Sequence, residues 1–437
     1  MNLQGKRVAY ITLGCKLNFS ETSTLRHALE EAGTRTVDAD TGADILLVNT
    51  CAVTDAAERK ARQLIRRLAR HCPDALLVVV GCYAKLRADE LRAMKGIRII
   101  PVEGEKFRVI DHLLALDERL VTLDDHPFIL DDAPDNHPLL PPFYPACSRG
   151  DRTRCFLKIQ DGCDYHCTYC AIPAARGASR SATISRVLES AREAATRGVK
   201  EIILTGVNTG DFGRRAGEPF LHLLRALDDE GAVPRYRVSS IEPNLLTGEI
   251  IDFIASSRHF MPHFHLPLQS GSDDVLALMG RRYTRDLFAR RVERARSVLP
   301  DAFIGVDVIA GSRGETLARF KDSLRFISDL DITRLHVFPY SERAGTRALS
   351  IPGSVDIAER RRRASLLIAL STAKLSAFHR RFLGDTRPVL FEEGDPDAPS
   401  RGFTDNYIRV SIPRDPSLEN NIIPVTLSAT NVVTTGD

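Results

Sequence analysis

The stretch CFLKIQDGCDYHCTYC, residues 155–170, places a cysteine-rich loop directly after a strand pattern. Its first six residues, 155–160, are typical of a buried strand, and an Asp-Gly turn follows them. Cys163, Cys167 and Cys170 then occur in a C-x3-C-x2-C pattern. In parallel α/β barrels the loops at the carboxyl ends of the strands carry the functional groups. The stretch therefore predicts the first strand and functional loop of such a fold.

Five further strand patterns follow, and a helical pattern separates each from the next. The six strand patterns cover residues 155–160, 201–205, 236–240, 263–268, 303–310 and 335–339. Alternating strands and helices predict a parallel sheet. Six such units in ~190 residues predict a partial (βα)6 barrel, an incomplete version of the eight-unit parallel barrel.

The N-terminal part of the chain shows the same alternation. Strand patterns occupy residues 7–13, 44–49, 75–80 and 97–102, and helical patterns occupy residues 21–32, 56–71, 85–94 and 106–116. The fold class is therefore α/β, and this part predicts an open parallel sheet with helices on both of its faces.

The remaining segments differ in composition. Residues 119–148 are rich in Pro and Asp without a sustained period, which favours a linker. A helical pattern covers residues 355–382, and short β patterns follow from residue 386, which predicts a small all-β domain. The predicted divisions are an N-terminal domain (1–118), the linker (119–148), a central barrel domain (149–375) and a C-terminal β-domain (376–437).

Composition narrows the class of protein. The chain has 437 residues, of which 43% are hydrophobic and 27% charged, as is ordinary for a globular protein. No apolar run reaches the ~18 residues of a membrane span and no signal peptide is recognisable, so we expect a cytoplasmic protein without a membrane partner. The cysteine count is nine, which favours metal ligands over a disulfide framework.

The cysteine loop has the donor set of an iron–sulfur site. Three closely spaced thiolates, from Cys163, Cys167 and Cys170, can hold three irons of a [4Fe–4S] cube and leave the fourth iron open to the amino and carboxylate groups of a ligand. The alternative is a zinc site, which usually takes four ligands in paired C-x2-C spacing. No second cysteine pair lies nearby, and His166 is the one further candidate in the loop.

A second set of cysteines follows three of the N-terminal strand patterns. Cys15, Cys51 and Cys82 each come directly after one of them, in AYITLGC, ILLVNTC and LLVVVGC. Loops after adjacent parallel strands converge on one edge of the sheet, so these thiols can meet in space. Gly14 and Gly81 precede two of them and would let the backbone approach a bulky cluster closely. The alternative is three buried structural cysteines. Cys72, Cys147 and Cys155 lack this placement and are interpreted as structural or surface thiols.

The loop motif together with the six β/α units resembles the radical S-adenosylmethionine (SAM) superfamily. The segments GCKLN, NTCAVT and VGCYA resemble the N-terminal cluster domain of its methylthiotransferase family. The resemblance covers essentially the whole chain and implies two [4Fe–4S] clusters, SAM, and a C-terminal domain of the TRAM type. It implies that one cluster, on the loop cysteines, cleaves SAM. A second cluster, on the N-terminal cysteines, would handle sulfur. The implied catalytic residues are Cys163, Cys167, Cys170 and Cys51.

The resemblance also implies a SAM pocket along the strand ends. The expected cofactor contacts are Tyr169, Gly206, Asn208, Ser240, Glu242, Gln269 and Asp307. Most superfamily members have a Gly-Gly-Glu type run after the second strand, and this chain has LTGVNTGD there, so individual contacts differ. For each position the alternative is an ordinary polar residue at a strand end.

Finer motifs indicate the substrate class. TLGCKLNFSE, CTYCAIPAARGASRS and FPYSERAGTRA look most like the tRNA subfamily that acts on N6-threonylcarbamoyladenosine beside the anticodon, which implies 2-methylthiolation of that base. The isopentenyladenosine subfamily usually has Gln-Met where this chain has Lys16 and Leu17. The alternatives are a ribosomal-protein aspartate methylthiotransferase and a non-catalytic iron–sulfur protein that binds RNA or transfers electrons. Implied partners are tRNA and an electron donor such as flavodoxin or ferredoxin, whereas the sulfur donor is unknown.

Arginines are the candidate phosphate contacts of such an RNA. They comprise Arg176, Arg180, Arg281, Arg282, Arg387, Arg401 and Arg409, the helical segment 58–70, and the run 360–363. The alternative for a charged helix is a solvated face. Residues 376–437 contain six Arg and nine Asp or Glu, a net charge of −3, whereas an RNA-binding β-domain is normally basic.

Overall fold

The computed structural model of the chain describes residues 1–94, 99–101, 109–115, 146–148 and 153–434. Most of the predicted linker, residues 119–148, lies outside these residues. The chain forms two compact units, and the cysteine loop contributes to both. The first unit comprises Met1–Arg149, Gly162–Asp164 and Cys170–Ala178, and the second comprises Gly150–Asp161, Tyr165–Tyr169 and Ser179–Asp437. Within the described residues, no helix combines the length and apolar character that a membrane crossing requires.

A five-stranded parallel sheet is the centre of the first unit. Its strands are β1 (Arg7–Thr12), β2 (Arg35–Thr36), β3 (Ile45–Thr50), β4 (Leu76–Gly81) and β5 (Ile99–Pro101). Their order is β2-β1-β3-β4-β5, and every neighbouring pair is parallel. The predicted open parallel sheet is confirmed. In this doubly wound order ligands bind where the strand order reverses, which is between β1 and β3.

Helices cover both faces of this sheet. They are α1 (Lys16–Glu31), α2 (Asp55–His71), α3 (Cys82–Leu86), α4 (Ala88–Arg92) and α5 (Val109–Ala115). The strands β3 and β4 are buried along their whole length, so their side chains alternate between two separate cores, one on each face of the sheet. One core contains Ile65 of α2 and the other contains Leu25 of α1. The predicted helix 21–32 begins earlier than expected, at Lys16.

The second unit contains six parallel strands separated by helices. The strands are β6 (Arg154–Lys158), β9 (Glu201–Thr205), β10 (Arg235–Val238), β11 (His263–Gln269), β12 (Phe303–Ala310) and β13 (Arg334–Pro339), and a short antiparallel pair is formed by β7 (Gln160–Asp161) and β8 (Arg180–Ser181). The orders are β6-β9-β10 and β11-β12-β13, and parallel bridges from Tyr236 to Phe260 and from Ser240 to His265 join β10 to the β11 side.

The helices of this region occupy the connections. In chain order they are α6 (Ile172–Arg176, which belongs to the first unit), α7 (Ile184–Thr196), α8 (Phe220–Glu230), α9 (Gly248–Ser256), α10 (Asp273–Leu278), α11 (Arg285–Val298), α12 (Leu317–Asp329) and α13 (Ile357–Arg380). Short 3-10 turns lie at Thr209–Asp211, Arg347–Ser350 and Pro416–Leu418, and another, Ala39–Thr41, belongs to the first unit. Thr residues cap α7, α9, α11 and α12 by accepting a backbone N–H, which fixes where each helix begins after its loop.

An antiparallel sheet ends the second unit. Its strands β14 (Thr386–Phe391), β15 (Ser400–Thr404), β16 (Arg409–Ile412) and β17 (Ile422–Thr426) lie in the order β16-β15-β14-β17. Their apolar residues share one core with Phe303 at the start of β12 and Phe378 of α13. The sheet therefore packs at the amino ends of the parallel strands, the end remote from the cysteine loop that follows β6.

A buried charge cluster holds this antiparallel sheet to the parallel strands. Glu201, the first residue of β9, is fully buried and accepts from Arg237 Nε at 2.9 Å and Nη2 at 3.1 Å. Arg154 and Arg235, the first residues of β6 and β10, lie 3.9 Å from the same carboxylate. Arg237 also donates to Thr404 O at 2.8 Å. The guanidinium group of Arg237 thus links Glu201, at the start of β9, to the backbone of β15.

Candidate functional site

The three N-terminal cysteines lie at the carboxyl ends of three neighbouring strands. Cys15 precedes α1, Cys51 follows the last residue of β3, and Cys82 opens α3 directly after β4. All three are free thiols. Because β1, β3 and β4 are adjacent in the sheet, the thiols border the place where the strand order reverses.

The two glycines before these cysteines are required by protein packing. A Cβ atom on Gly14 would lie 2.7 Å from Cys51 Cβ, and a Cβ atom on Gly81 would lie 2.4 Å from Thr50 O. Both residues also have positive φ, of 115° and 101°. Close approach between neighbouring strand ends is therefore one reason for glycine at both positions, and close approach to a cluster stays a prediction.

The electrostatics of Cys51 reflect its neighbours. Burial raises the pKa of the Cys51 thiol, the nearby Cys15 and Cys82 raise it further, and the charge of Arg176 acts in the opposite direction. Arg176 is itself buried and pairs with Glu21, whose Oε1 lies 3.0 Å from its Nη1. Arg176, which was predicted as a phosphate contact, therefore does not face solvent in this unit.

In the second unit the cysteine loop is held through Thr168. Its backbone N–H donates to Met279 O at 2.9 Å and its hydroxyl donates to Leu278 O at 3.0 Å. Its carbonyl accepts from Ala348 N at 2.9 Å. Cys167, the preceding residue, is buried, whereas Cys163 and Cys170 in the first unit are half-buried, and none of the three forms a disulfide.

Arg281 connects Cys167 with two of the expected cofactor contacts. Its Nη1 donates to Cys167 Sγ at 3.1 Å and to Tyr169 Oη at 3.4 Å, and its Nη2 donates to Glu242. The Arg281 side chain is 3% exposed. Arg281, which was predicted as an RNA contact, is thus paired with Glu242 and turned away from solvent. Burial raises the pKa of Glu242, and the charge of Arg281 opposes that rise.

Gln160 organises the loop after β9 and was not recognised in the sequence. Its Oε1 accepts from Asn208 N at 2.9 Å, and a Cβ atom on Gly206 would lie 2.9 Å from the same oxygen. Asn208 is buried, its Oδ1 accepts from Glu242 N at 3.4 Å, and its Nδ2 has no hydrogen-bond partner within the described residues. An unsatisfied buried donor at a strand end is a place where a ligand oxygen can bind.

The other expected cofactor contacts lie along the same strands. Ser240 O, just after β10, accepts from both the backbone N and the hydroxyl of Thr209. Gln269 ends β11 at an irregularity in the strand register and has a φ of 64°, a strained value for a residue with a side chain. Asp307 Oδ1 of β12 lies 2.8 Å from His265 Nε2 and accepts a hydrogen bond when that nitrogen carries a proton.

The remaining arginines that were predicted as phosphate contacts differ in their exposure to solvent. Arg282 and Arg401 are exposed, whereas Arg180 and Arg409 are half-buried. Arg387, also predicted as a phosphate contact, is half-buried with a side chain 14% exposed, and it lies 2.7 Å from carboxylates of both Asp301 and Asp405.

The other predicted phosphate contacts lie in two helical segments, the run 360–363 and helix α2. In the run 360–363, Arg360 and Arg363 are buried in ion pairs with Glu342 and Glu315, and only the two arginines between them are exposed. On α2 the exposed cations are Lys60, Arg66, Arg67 and Arg70, as well as Arg59, which pairs with Asp55.

Within the described residues, no group of three or more His, Cys, Asp or Glu side chains is arranged to hold a metal ion. Of the other three cysteines, Cys72 is a free thiol, and Cys147 and Cys155 are disulfide-bonded, which corrects their interpretation as thiols.

Family profiles match both units. The profile of the Radical SAM superfamily matches residues 157–327, and the profile described as uncharacterized protein family UPF0004 matches residues 7–100. The structure of the radical S-adenosylmethionine methyltransferase TsrM from Kitasatospora setae is similar in fold, with a TM-score of 0.56 at 16% identity over 77% of this chain and 74% of that one.

Curated relatives extend over nearly the whole chain. The Threonylcarbamoyladenosine tRNA methylthiotransferase MtaB of Bacillus subtilis is 36% identical over 410 residues, which cover 92% of this chain and 89% of the relative. The Ribosomal protein uS12 methylthiotransferase RimO of Syntrophus aciditrophicus is 33% identical over 90% of this chain and 88% of its own length. The chain belongs to the methylthiotransferase family of radical SAM enzymes.

Proposed function

We propose that this chain is a tRNA methylthiotransferase that converts N6-threonylcarbamoyladenosine next to the anticodon into its 2-methylthio derivative. The observation that carries this proposal is the 36% identity, over 92% of the chain, to a relative whose name specifies that substrate. The two cysteine sets agree with it, because insertion of sulfur at an aromatic C–H requires both a radical source and a sulfur source.

The residues present fit the cofactors of such an enzyme. Cys163, Cys167 and Cys170 would hold a [4Fe–4S] cluster that binds SAM, and the free thiols of Cys15, Cys51 and Cys82 would hold a second one. When bound, these groups supply an adenosyl radical and sulfur, respectively.

The chain itself supplies the groups that bind and orient SAM. The unsatisfied Nδ2 of Asn208 offers a donor to a carboxylate, and buried Glu242 offers an acceptor to an ammonium group. Tyr169 is connected to Glu242 through Arg281, which donates to both side chains. Gly206, Ser240, Gln269 and Asp307 complete the proposed cofactor contacts.

We assign one role to each of the predicted domains. Residues 1–118 form the domain of the second cluster, and residues 149–375 form a partial (βα)6 radical SAM barrel. Residues 376–437 form a TRAM-like β-domain. A tRNA substrate would place the enzyme in the cytoplasm, with flavodoxin or ferredoxin as the electron donor.

The exposed cations of α2 form the strongest candidate RNA surface. We expect the variant Arg66→Glu/Arg67→Glu to bind tRNA more weakly. The slope of the logarithm of the binding constant against the logarithm of salt concentration should fall in magnitude by about 1–2, because fewer counterions are released when fewer phosphates are contacted. Filter binding at several salt concentrations measures this slope. Arg294→Glu, on α11, is the matched control because Arg294 pairs with Asp252. An unchanged slope in the α2 variant would contradict an interface on this helix.

Arg281 is expected to set the reduction potential of the SAM-cleaving site. A buried cation that donates to the Cys167 sulfur favours the more negative, reduced state of a cluster bound there. Replacement Arg281→Gln should shift the midpoint potential to a more negative value, measured by titration followed by electron paramagnetic resonance. Arg282→Gln is the control, since Arg282 lies over the Tyr165 ring at 4.0 Å. Equal potentials in the wild type and Arg281→Gln would rule out this role.

Nucleoside mass spectrometry tests the proposed function. Deletion of the gene should remove 2-methylthio-threonylcarbamoyladenosine from tRNA, and the wild-type gene should restore it whereas a Cys167→Ala gene should not. Persistence of the nucleoside in a strain without a second such enzyme refutes the proposal. Mass spectrometry of the ribosomal protein uS12 in the same strain decides the alternative, because loss of a methylthiolated aspartate there would identify a protein substrate.

A further inference from the structure

Helix α6 fixes both ends of the cysteine loop within the first unit. Ile172 N at its start donates to Cys170 Sγ at 3.4 Å, and Gly177 O just past its end accepts from Cys163 N at 3.1 Å. Ala175 packs in the core formed with the sheet. The position of α6 on the sheet therefore determines where Cys163 and Cys170 lie in this unit.

Arg176, the last residue of α6, anchors that helix to α1. Its Nη1 donates to Glu21 Oε1 at 3.0 Å, and its Nη2 donates to Asn18 Oδ1 at 2.7 Å. The relative exposures of Arg176, Glu21 and Asn18 are 6%, 1% and 1%. A guanidinium at such depth is tolerated only with its carboxylate in place, so this contact fixes the geometry strongly.

Asn18 carries the connection onward to the other cysteine set. Its Nδ2 donates to Leu13 O at 2.8 Å and to Thr50 O at 3.0 Å. These carbonyls lie in the short backbone segments that lead into Cys15 and Cys51. One amide side chain therefore accepts a hydrogen bond from the α6 anchor and holds the backbone before two of the three N-terminal cysteines.

The composition of α1 indicates that this network has more than a packing role. Besides Leu17, the first half of the helix buries five polar side chains, those of Asn18, Ser20, Glu21, Thr22 and Ser23, whereas the second half buries only Leu25 and Leu29. A helix that only packs on a sheet buries an apolar stripe throughout its length. The polar half lies directly after Cys15, and the charge of Arg176 reaches Cys51.

We propose that Arg176 is a positioning residue that couples the two cysteine sites, locking the segment that carries Cys170 to the backbone that carries Cys15 and Cys51. This inference rests on the proposed function and goes beyond it. Radical formation at one site leads to methylthiolation only when the other site is held in register with it. Without the Arg176 anchor the two sites still form, but SAM is cleaved without product.

The test compares the wild type with the paired variant Arg176→Met/Glu21→Met, which removes the buried ion pair without leaving an uncompensated charge. Arg176→Lys is the second variant, because a single ammonium group cannot replace a guanidinium that bridges two partners. Arg186→Gln is the control, since Arg186 is exposed and pairs with Glu189 on the surface of α7. Anaerobic iron analysis and electron paramagnetic resonance report both clusters. With an anticodon stem-loop RNA that contains threonylcarbamoyladenosine, the measured quantity is the ratio of 5′-deoxyadenosine to methylthiolated product.

The expected result is full iron content in both variants and a ratio raised about tenfold or more, as for other small misplacements of reacting groups, with the control at the wild-type ratio. A wild-type ratio in the paired variant overturns the proposal. Loss of iron from either site also overturns it, since Arg176 would then build a site rather than couple two. Absence of product from the wild type refutes the proposed function instead, so the two failures are distinguishable.

Discussion

Replacement of Cys167 by Ala is expected to abolish reductive cleavage of SAM, whereas replacement of Cys51 by Ala should spare cleavage and stop formation of product. The two cysteines serve different sites. Cys167 lies in the loop after β6, and Cys51 lies at the end of β3 in the other unit. Loss of one thiolate from a three-thiolate site removes the cluster held there and leaves the other site intact.

Product analysis and iron counting check this separation. The wild type should bind about eight irons per chain and each variant about four. Deoxyadenosine formation should be absent in Cys167→Ala and present in Cys51→Ala, and only the wild type should yield methylthiolated nucleoside. Cys72→Ala is the matched control, because Cys72 is a free, half-buried thiol that follows α2 at the opposite end of the sheet. Full methylthiolation by Cys51→Ala would eliminate the two-cluster proposal.

The second large effect is on stability. Replacement Glu201→Gln should destabilise the second unit by about 3–5 kcal/mol, because it leaves buried arginines without their counter-ion. Glu230→Gln is the matched control. Arg192 and Glu230 also form a two-point ion pair, with Nε to Oε1 at 2.6 Å, but the Arg192 side chain is 58% exposed, and loss of such a surface pair costs about 0–1 kcal/mol. Urea unfolding followed by circular dichroism measures both.

The contribution of Glu201 to the free energy of unfolding depends on pH in a defined direction. Burial alone would raise the pKa of Glu201, but the charges of Arg237 and Arg154 outweigh it and lower the pKa below the ordinary 4.5. The ionised carboxylate therefore stabilises the folded state above pH 4.5, and this contribution is lost as the pH falls below that value. The difference between wild type and Glu201→Gln should shrink with acidification. A difference that is constant down to pH 3 would show that the charge of Glu201 is not its source.

Strand patterns and cysteine positions were sufficient to predict the N-terminal sheet. Continuous apolar runs such as LLVVV identify strands buried on both faces, and parallel strands place their following residues at one edge. The placement of Cys15, Cys51 and Cys82 follows from that rule alone. The short β2 (Arg35–Thr36) escaped detection because two residues have no periodicity to recognise.

The roles of the arginines could not be predicted. Arg176, Arg281 and Arg387 are indistinguishable in sequence from solvent-facing cations, because their partners Glu21, Glu242 and Asp405 lie far away along the chain or in unrelated motifs. Burial of a charge depends on which carboxylate the fold brings to it, and this is a tertiary property. An arginine close to a metal-ligand motif is the signal that could have suggested a buried role.

The strained backbone at Gln269 has a consequence for what the side chain of this residue contributes. Glycine would adopt the same φ of 64° without penalty. Most random changes to glycine are harmful, but this one would relax the local chain. An amide side chain in a conformation that glycine would adopt more easily indicates that this side chain serves something other than folding, so laboratory selection for heat resistance alone should tend to replace it.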